Sequence, residues 1–177
     1  MRRCGTTCRN VEGAAALVVN GWTILVHPLF VEQVTALAAS VERARRKSPE
    51  GFRQKNEAKR LAAILRLAFE VIPQDPTSPV YRQGNTLGDA HRHWRRAKFF
   101  QQYRLFFRCD QAARMIVYAW VNDADTKRAY DSRTDAYRVF GGMLANGNPP
   151  GDWSALRQAC TKEAAGVLLG ATGEALR

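Results

Sequence analysis

The chain has 177 residues, of which 46% are hydrophobic and 24% charged, a balance that suits a globular domain and excludes a disordered or collagen-like polypeptide. A chain of this length buries about 70% of its unfolded surface on folding, so it can build a core without disulfides or metals. Lys and Arg number 27 against 16 Asp and Glu, a formal net charge of +11, which favours a polyanionic partner, either nucleic acid or an acidic protein.

Residues 1–19 read as a loose leader. Met1-Arg2-Arg3 has the character of a basic n-region, but Ala14 to Val19 gives six apolar residues, short of the roughly 7–15 of a signal peptide. No stretch approaches the ~20 apolar residues that span a bilayer, so no membrane association is expected. Cysteines stand at 4, 8, 109 and 160. They lack the two tight pairs of a zinc site and the density of a disulfide scaffold, so they read as reduced thiols of a cytoplasmic protein.

A strand is predicted at Thr23–His27, and Pro28 then suits the first turn of a helix. Phe30, Val34, Leu37, Val41 and Ala44 recur at gaps of four and three, one face of an amphipathic helix. That helix ends in the basic cluster Arg43 to Lys47 before Ser48-Pro49, as the helix dipole and proline chemistry prefer. A second helix follows, with Ala58, Leu61, Ala62, Leu65, Ala68, Phe69 and Ile72 at helical spacing up to Pro73. A short connection makes the two an αα-hairpin.

Residues 73–90 carry Pro73, Pro76, Pro79, Gly84 and Gly88 and read as a loop. The period then changes. Arg96–Phe99, Tyr103–Cys109 and Met115–Val121 read as three strands of an antiparallel meander, the last rich in β-branched and aromatic residues as a central strand is. A helix is predicted from Thr134 to Leu144, stopped by Gly147 and Pro149-Pro150. Residues 152–177 read as a short helix with an Ala/Gly-rich end. The order β-α-α-β-β-β-α predicts an α+β protein with helices on one face of a sheet.

Residues 91–108, HRHWRRAKFFQQYRLFFR, hold six cations (Arg92, Arg95, Arg96, Lys98, Arg104, Arg108), six aromatics (Trp94, Phe99, Phe100, Tyr103, Phe106, Phe107) and no acid. Interleaved cations and rings suit single-stranded RNA, the charges meeting phosphates and the rings stacking on bases. Strand alternation puts Arg96 and Lys98 on one face, and Arg104, Phe106 and Arg108 on one face of the next strand. Such an array can grip one phosphate, with Arg as a forked donor and Lys as a point charge or base. The plainer alternative is a solvated charged face over core aromatics, with binding but no catalysis. His91 and His93 sit in the preceding loop as acid–base candidates or as surface residues. Asp123, Asp125, Asp131 and Asp135 are four carboxylates in thirteen residues. Each neighbours a cap or turn position, which accounts for them without a metal.

From about Asn20 to Trp153 the chain resembles the YhaV-type toxins of PrlF–YhaV type II toxin–antitoxin modules. The resemblance is carried in order by Asn20-Gly21-Trp22, His27-Pro28, Ser78-Pro79, Arg82-Gln83-Gly84, Arg96-Ala97-Lys98-Phe99 and Tyr103-Arg104-Leu105-Phe106-Phe107-Arg108. It continues through Trp120-Val121-Asn122-Asp123, Arg133-Thr134-Asp135-Ala136-Tyr137 and Pro149-Pro150-Gly151-Asp152-Trp153. It implies a RelE-like antiparallel sheet packed by an N-terminal αα-hairpin and a C-terminal helix. The toxin domain would span 20–155, between the leader 1–19 and a C-terminal tail 156–177.

It further implies a metal-independent endoribonuclease, without cofactor, that cleaves messenger RNA on or near the ribosome and inhibits translation. The RNA 2′-hydroxyl would attack the adjacent phosphate. Arg96 and Arg104 would clamp that phosphate, and Lys98 would stabilise charge or remove the proton. Arg133 and Tyr137 match the Arg and Tyr near the last helix, Tyr137 for acid–base work, with Arg128 and Tyr130 as the alternative pair. His91, His93, Arg95 and Arg108 would bind RNA. The implied partners are a PrlF-like antitoxin and, through the complex, operator DNA. Where family members often carry His before the two prolines, this chain has Asn148, which cannot titrate. The rival reading is a non-catalytic nucleic-acid-binding module that acts with an antitoxin as an operator-binding co-repressor.

Overall fold

The computed structural model describes residues 16–127, 135–161 and 164–177. Strand β1 (Val18–Val19) turns through Asn20-Gly21 into β2 (Trp22–Val26). Both turn residues have positive φ, +49° and +77°, the mirror-image turn whose twist matches antiparallel strands and for which Asn-Gly is the favoured pair. The end of the segment read as a leader is therefore paired into the sheet, Val19 opposite Trp22.

Helix α1 (Pro28–Lys47) starts where the sequence signals placed it: His27 caps it, its side chain accepting from the Leu29 amide, with Pro28 in the first turn. It buries Phe30, Val34, Leu37 and Val41. Helix α2 (Asn56–Arg66) packs against α1 and continues through a π-helical turn at Leu67–Val71. The buried Tyr118 hydroxyl donates to the Ala68 carbonyl inside that turn, so a ladder that has slipped register still has its carbonyl satisfied. Residues 73–90 form the expected loop with short 3₁₀ turns.

Strands β3 (Arg95–Phe99), β4 (Tyr103–Asp110) and β5 (Met115–Val121) form the predicted antiparallel meander. The full sheet has five strands in the order β1-β2-β5-β4-β3. Here the expectation of an antiparallel sheet is corrected: β2 pairs parallel with β5, Ile24 opposite Ile116 and Val26 opposite Tyr118. Strand β5 is almost wholly buried, so the backbone groups on both its edges need partners. The apolar β2 fills the second edge, and the helices between them make the crossover that a parallel pair requires.

The expectation of helices on one sheet face is corrected as well. Ile24, Leu105, Phe107, Ile116 and Tyr118 face α1, α2 and the last helix, α5 (Ala164–Ala175). Leu25, Phe106, Val117 and Trp120 face α3 (Ala136–Ala145) and α4 (Trp153–Gln158). A sheet covered on both faces reads as continuous apolar strands, as β5 does. In β5 the pairing steps from Phe106↔Trp120 to Phe107↔Tyr118. Ala119 is the extra residue of a bulge, and it resets which side chains face which core. Helix α5, in the segment read as a tail, buries Ala165, Leu168 and Ala175 against the first core. Among the described residues no helix is long and apolar enough to cross a membrane.

Candidate nucleic-acid cleavage site

The β3–β4 hairpin sets the site. Its register places Lys98 directly opposite Arg104 and Arg96 opposite Phe106. Side chains of directly opposed residues stand about 5 Å apart at Cβ, and like charges so placed destabilise a sheet. Phe106 belongs to the α3-side core, so strand alternation brings Arg96, Lys98 and Arg104 to that same face. Arg108 follows two residues beyond Phe106, which makes a row of cations along one face.

Arg104 is 7% exposed. Its Nη1 donates to the carbonyls of Gln101 (2.6 Å) and Tyr103 (2.8 Å) at the hairpin turn. Its Nε is shielded from solvent and has no hydrogen-bond partner. No carboxylate pairs with it among the described residues. A buried guanidinium with an unspent donor edge is costly unless an anion completes it. Its backbone amide donates to Oδ1 of Asn122 (2.6 Å). Asn122, 0% exposed, also donates from Nδ2 to the carbonyls of Gln102 (3.2 Å) and Thr126 (2.8 Å). One buried amide thus ties together the hairpin turn, Arg104 and the loop after β5. Sequence reasoning missed this role, because an Asn closing a strand carries no signal beyond that of a turn.

Arg96 is held from two sides, Nε donating to the Tyr137 hydroxyl oxygen (3.0 Å) and Nη1 to the Val80 carbonyl (2.7 Å). Tyr137 lies in the first turn of α3, which Asp135 caps by accepting from the Tyr137 amide (3.0 Å). The Phe106 ring stacks on Phe140 at 4.2 Å and meets Tyr137 edge-on at 5.4 Å. This aromatic pile fixes the N-terminal end of α3 over the cationic row. Lys98 is exposed beside it.

Arg108 lies on the same face but is already engaged. Its guanidinium stands over Trp94 at 5.7 Å and Trp153 at 5.1 Å, and Nη1 donates to the Gly151 carbonyl (2.7 Å). Burial pulls this guanidinium below its ordinary value, and Asp152 opposes the shift. His93 and His91 are ring neighbours at 6.2 Å. Partial burial, and then the charges of Arg108 and His91, hold His93 below the usual imidazole range. Arg95 sits apart: it pairs with Phe107 on the α1 side, and its Nη1 donates to the carbonyls of Thr77 (3.1 Å) and Ser78 (3.3 Å). Arg95, Arg82, Arg92 and His93 line a polar cleft of about 460 Å³ at the sheet edge. Arg133, Arg128 and Tyr130 lie outside the described residues.

The expected stacking rings are largely core. Trp94, Phe106 and Phe107 are each 0% exposed, whereas Phe100 is 55% exposed. Asp123 accepts from the Asp125 and Thr126 amides and the Thr126 hydroxyl, the turn role read from sequence. Asp135 has the capping role. Asn148 is exposed beyond the C-terminal end of α3. About 12 Å of helix separates that end from Tyr137.

The family model described as a toxin with endonuclease activity, of a toxin–antitoxin system, matches residues 24–161. Toxin YhaV of Escherichia coli O6:H1 is 43% identical over 142 residues, covering 79% of this chain and 92% of that protein. Ribonuclease toxin YhaV of Escherichia coli K12 is 43% identical over 140 residues, covering 78% of this chain and 91% of that one. No solved structure matches the chain. The chain belongs to the YhaV family of endonuclease toxins of toxin–antitoxin systems.

Proposed function

We propose, from that membership, that the protein is a RelE-like ribonuclease toxin: a metal-independent endoribonuclease of the cytoplasm that cleaves messenger RNA and thereby stops translation. The observation that carries this reading is the joining of Arg96, Lys98, Arg104 and Tyr137 on one sheet face, with Arg96 Nε 3.0 Å from the Tyr137 oxygen. The name of the Escherichia coli K12 relative, a ribonuclease toxin, supports RNA as the substrate.

The reaction needs positive charge around one phosphate and a proton moved at each end. The RNA 2′-oxygen attacks the adjacent phosphorus, and the P–O5′ bond breaks. The products are a 2′,3′-cyclic phosphate and a 5′-hydroxyl end. The Arg104 donor left unspent by the hairpin carbonyls takes one non-bridging phosphate oxygen, and Arg96 takes the other. Lys98, exposed and opposite Arg104, either receives the 2′-hydroxyl proton as the neutral amine or, as the ammonium, balances the developing charge while solvent takes that proton. Tyr137 hands a proton to the leaving O5′, and Arg133 adds charge from the segment before α3. The positive charge that a divalent ion would bring is supplied by three cations of the chain. His91, His93, Arg95 and Arg108 guide the flanking RNA past the edge of the sheet. A PrlF-like antitoxin is the partner in the cell, and the complex binds its own operator DNA.

The test is mapping of RNA ends after incubation with the purified protein in EDTA. Cleavage with a 5′-hydroxyl product, abolished by Arg104→Ala and by the surface substitution Lys98→Ala, is the expected result. Intact RNA with unimpaired binding would instead establish the co-repressor reading.

A further inference from the structure

An open groove of about 550 Å³ runs between the outer face of α2 and the end of β3. Half-buried Ala63, Leu67, Val71 and Phe99 line it, and exposed Lys59, Arg66 and Phe100 edge it. No acidic residue lines it.

Phe100 is the telling residue. Its ring is 55% exposed, and its backbone sits at φ +43°, followed by Gln101 at +59°. The tight hairpin between Phe99 and Tyr103 accounts for the two left-handed positions, but it does not call for an aromatic side chain there, where a bulky residue is disfavoured. The ring meets Phe99 at 5.7 Å and the residue still leaves more than half of its surface in solvent, so a surface that meets something else accounts for the choice of side chain. The neighbouring turn carbonyl, that of Gln101, also holds Arg104, and Lys98 directly precedes Phe99. The groove and the cleavage site therefore share one turn.

We propose that this groove seats an amphipathic, acidic segment of the antitoxin. Its apolar side chains enter between Leu67, Val71 and the two phenylalanines, and its carboxylates meet Lys59 and Arg66. Beyond the groove the segment passes over the 100–102 turn and closes the cationic face. The aliphatic lining distinguishes this occupant from RNA: the four aliphatic side chains, Ala62, Ala63, Leu67 and Val71, offer a phosphate nothing, whereas a cationic rim around an apolar floor complements an acidic amphipathic peptide. The docking rests on membership of a toxin–antitoxin family, and the masking rests on the proposed nuclease site.

The test is titration of the intact toxin with the full-length antitoxin of its own module, with binding followed by calorimetry. Two variants are used: Phe100→Gly, which suits the positive φ, and the exposed pair Lys59→Glu/Arg66→Glu. Each should weaken antitoxin binding at least tenfold and keep the wild-type melting temperature and RNA cleavage, so that the antitoxin no longer neutralises the toxin. Binding within twofold of wild type for both variants would overturn the proposal. So would unchanged antitoxin binding with lost affinity for an oligoribonucleotide, which would make the groove an RNA contact. Affinity is read without reference to cleavage, so a protein that cuts no RNA but loses antitoxin in both variants would refute the nuclease reading alone.

Discussion

Replacing Asn122 with Ala should damage the fold and the site together. The amide makes three hydrogen bonds, one to the Arg104 amide and two to the Gln102 and Thr126 carbonyls, and it is 0% exposed. At about 1 kcal/mol net for each bond, Asn122→Ala should cost roughly 3 kcal/mol, and more because the Arg104 amide is left buried without a partner. For a domain of this size that corresponds to a fall of roughly 10 °C in melting temperature. Asn122→Asp separates the two effects. It keeps an acceptor for the Arg104 amide but loses both donors and sets a negative charge beside the guanidinium. Cleavage by the Asp variant should then fall further than its stability predicts. Urea unfolding gives the first quantity, and single-turnover cleavage of a labelled oligoribonucleotide gives the second. A loss below 1 kcal/mol for Asn122→Ala, with cleavage intact, would show that the turn, Arg104 and the following loop do not depend on this side chain.

RNA affinity should fall with salt on a log–log slope of about −2, about 0.7 each for the one phosphate that Arg96, Lys98 and Arg104 share and for the flanking phosphates met by Arg95 and Arg108, and Arg108→Ala should remove about one such increment; fluorescence anisotropy at several salt concentrations measures it. Lys98→Glu converts a like-charge cross-strand pair with Arg104 into an opposite one, so it should raise stability by up to about 1 kcal/mol while abolishing cleavage. Thermal melts that fall instead would show that the opposed charges are not in contention. Burial holds the His27 imidazole below its ordinary value of 6.5, opposed by Glu32, so the folded state favours the neutral ring that caps α1. Its contribution is full above about pH 6.5 and is lost as pH falls to the lowered folded value, by up to about 1.4 kcal/mol per unit, and His27→Asn should flatten that part of the denaturation profile. The Cys160 thiol is pushed up to about 12 by burial, so at pH 8 only about one molecule in ten thousand carries the thiolate; peptide mass spectrometry should find Cys160 unalkylated in the native protein and modified in guanidinium.

The local periods were legible. The spacing of Phe30, Val34, Leu37 and Val41 fixed the buried face of α1, and the run Met115 to Val121 marked β5 as the buried strand. Strand alternation also put Arg96 with Lys98 and Arg104 with Arg108, because within one strand the face of a side chain follows from its position alone; that the two rows share a face depends on the β3–β4 register. What failed was everything that depends on partners distant in the chain. Nothing in Trp22–Val26 says that its neighbour is β5 rather than a meander strand. The need arises from the second edge of β5, which exists only once the sheet is assembled. The two-sided core had a trace in the unbroken apolar run of β5, but the charged residues interleaved in 91–108 suggested an open face. Trp94 shows the consequence: a ring between cations reads as a stacking platform, yet it lies at 0% exposure against Phe140. Asn122 left no trace, since its value lies in three backbone groups that the fold brings to it.

A sheet covered on both faces has little room for a substrate, and this explains where the cations gather. The α3-side core is closed by Phe106, Phe140 and Trp120, so the face can open only beyond the first turn of α3, toward the 100–102 turn. There the strands still supply a rigid frame, and the helix supplies its capped N-terminal end, where negative charge is favoured. In the proposed mechanism the same confinement makes Arg104 effective. A guanidinium that is 7% exposed and tied by Nη1 to two turn carbonyls cannot swing away, and its remaining donors are poorly hydrated before any phosphate arrives. Little solvent then has to be displaced or reoriented when charge develops on that phosphate. The aromatic pile underneath thus has two roles that are physically one: it buries apolar surface to hold the fold, and it fixes Tyr137, which in turn holds Arg96 over the sheet face.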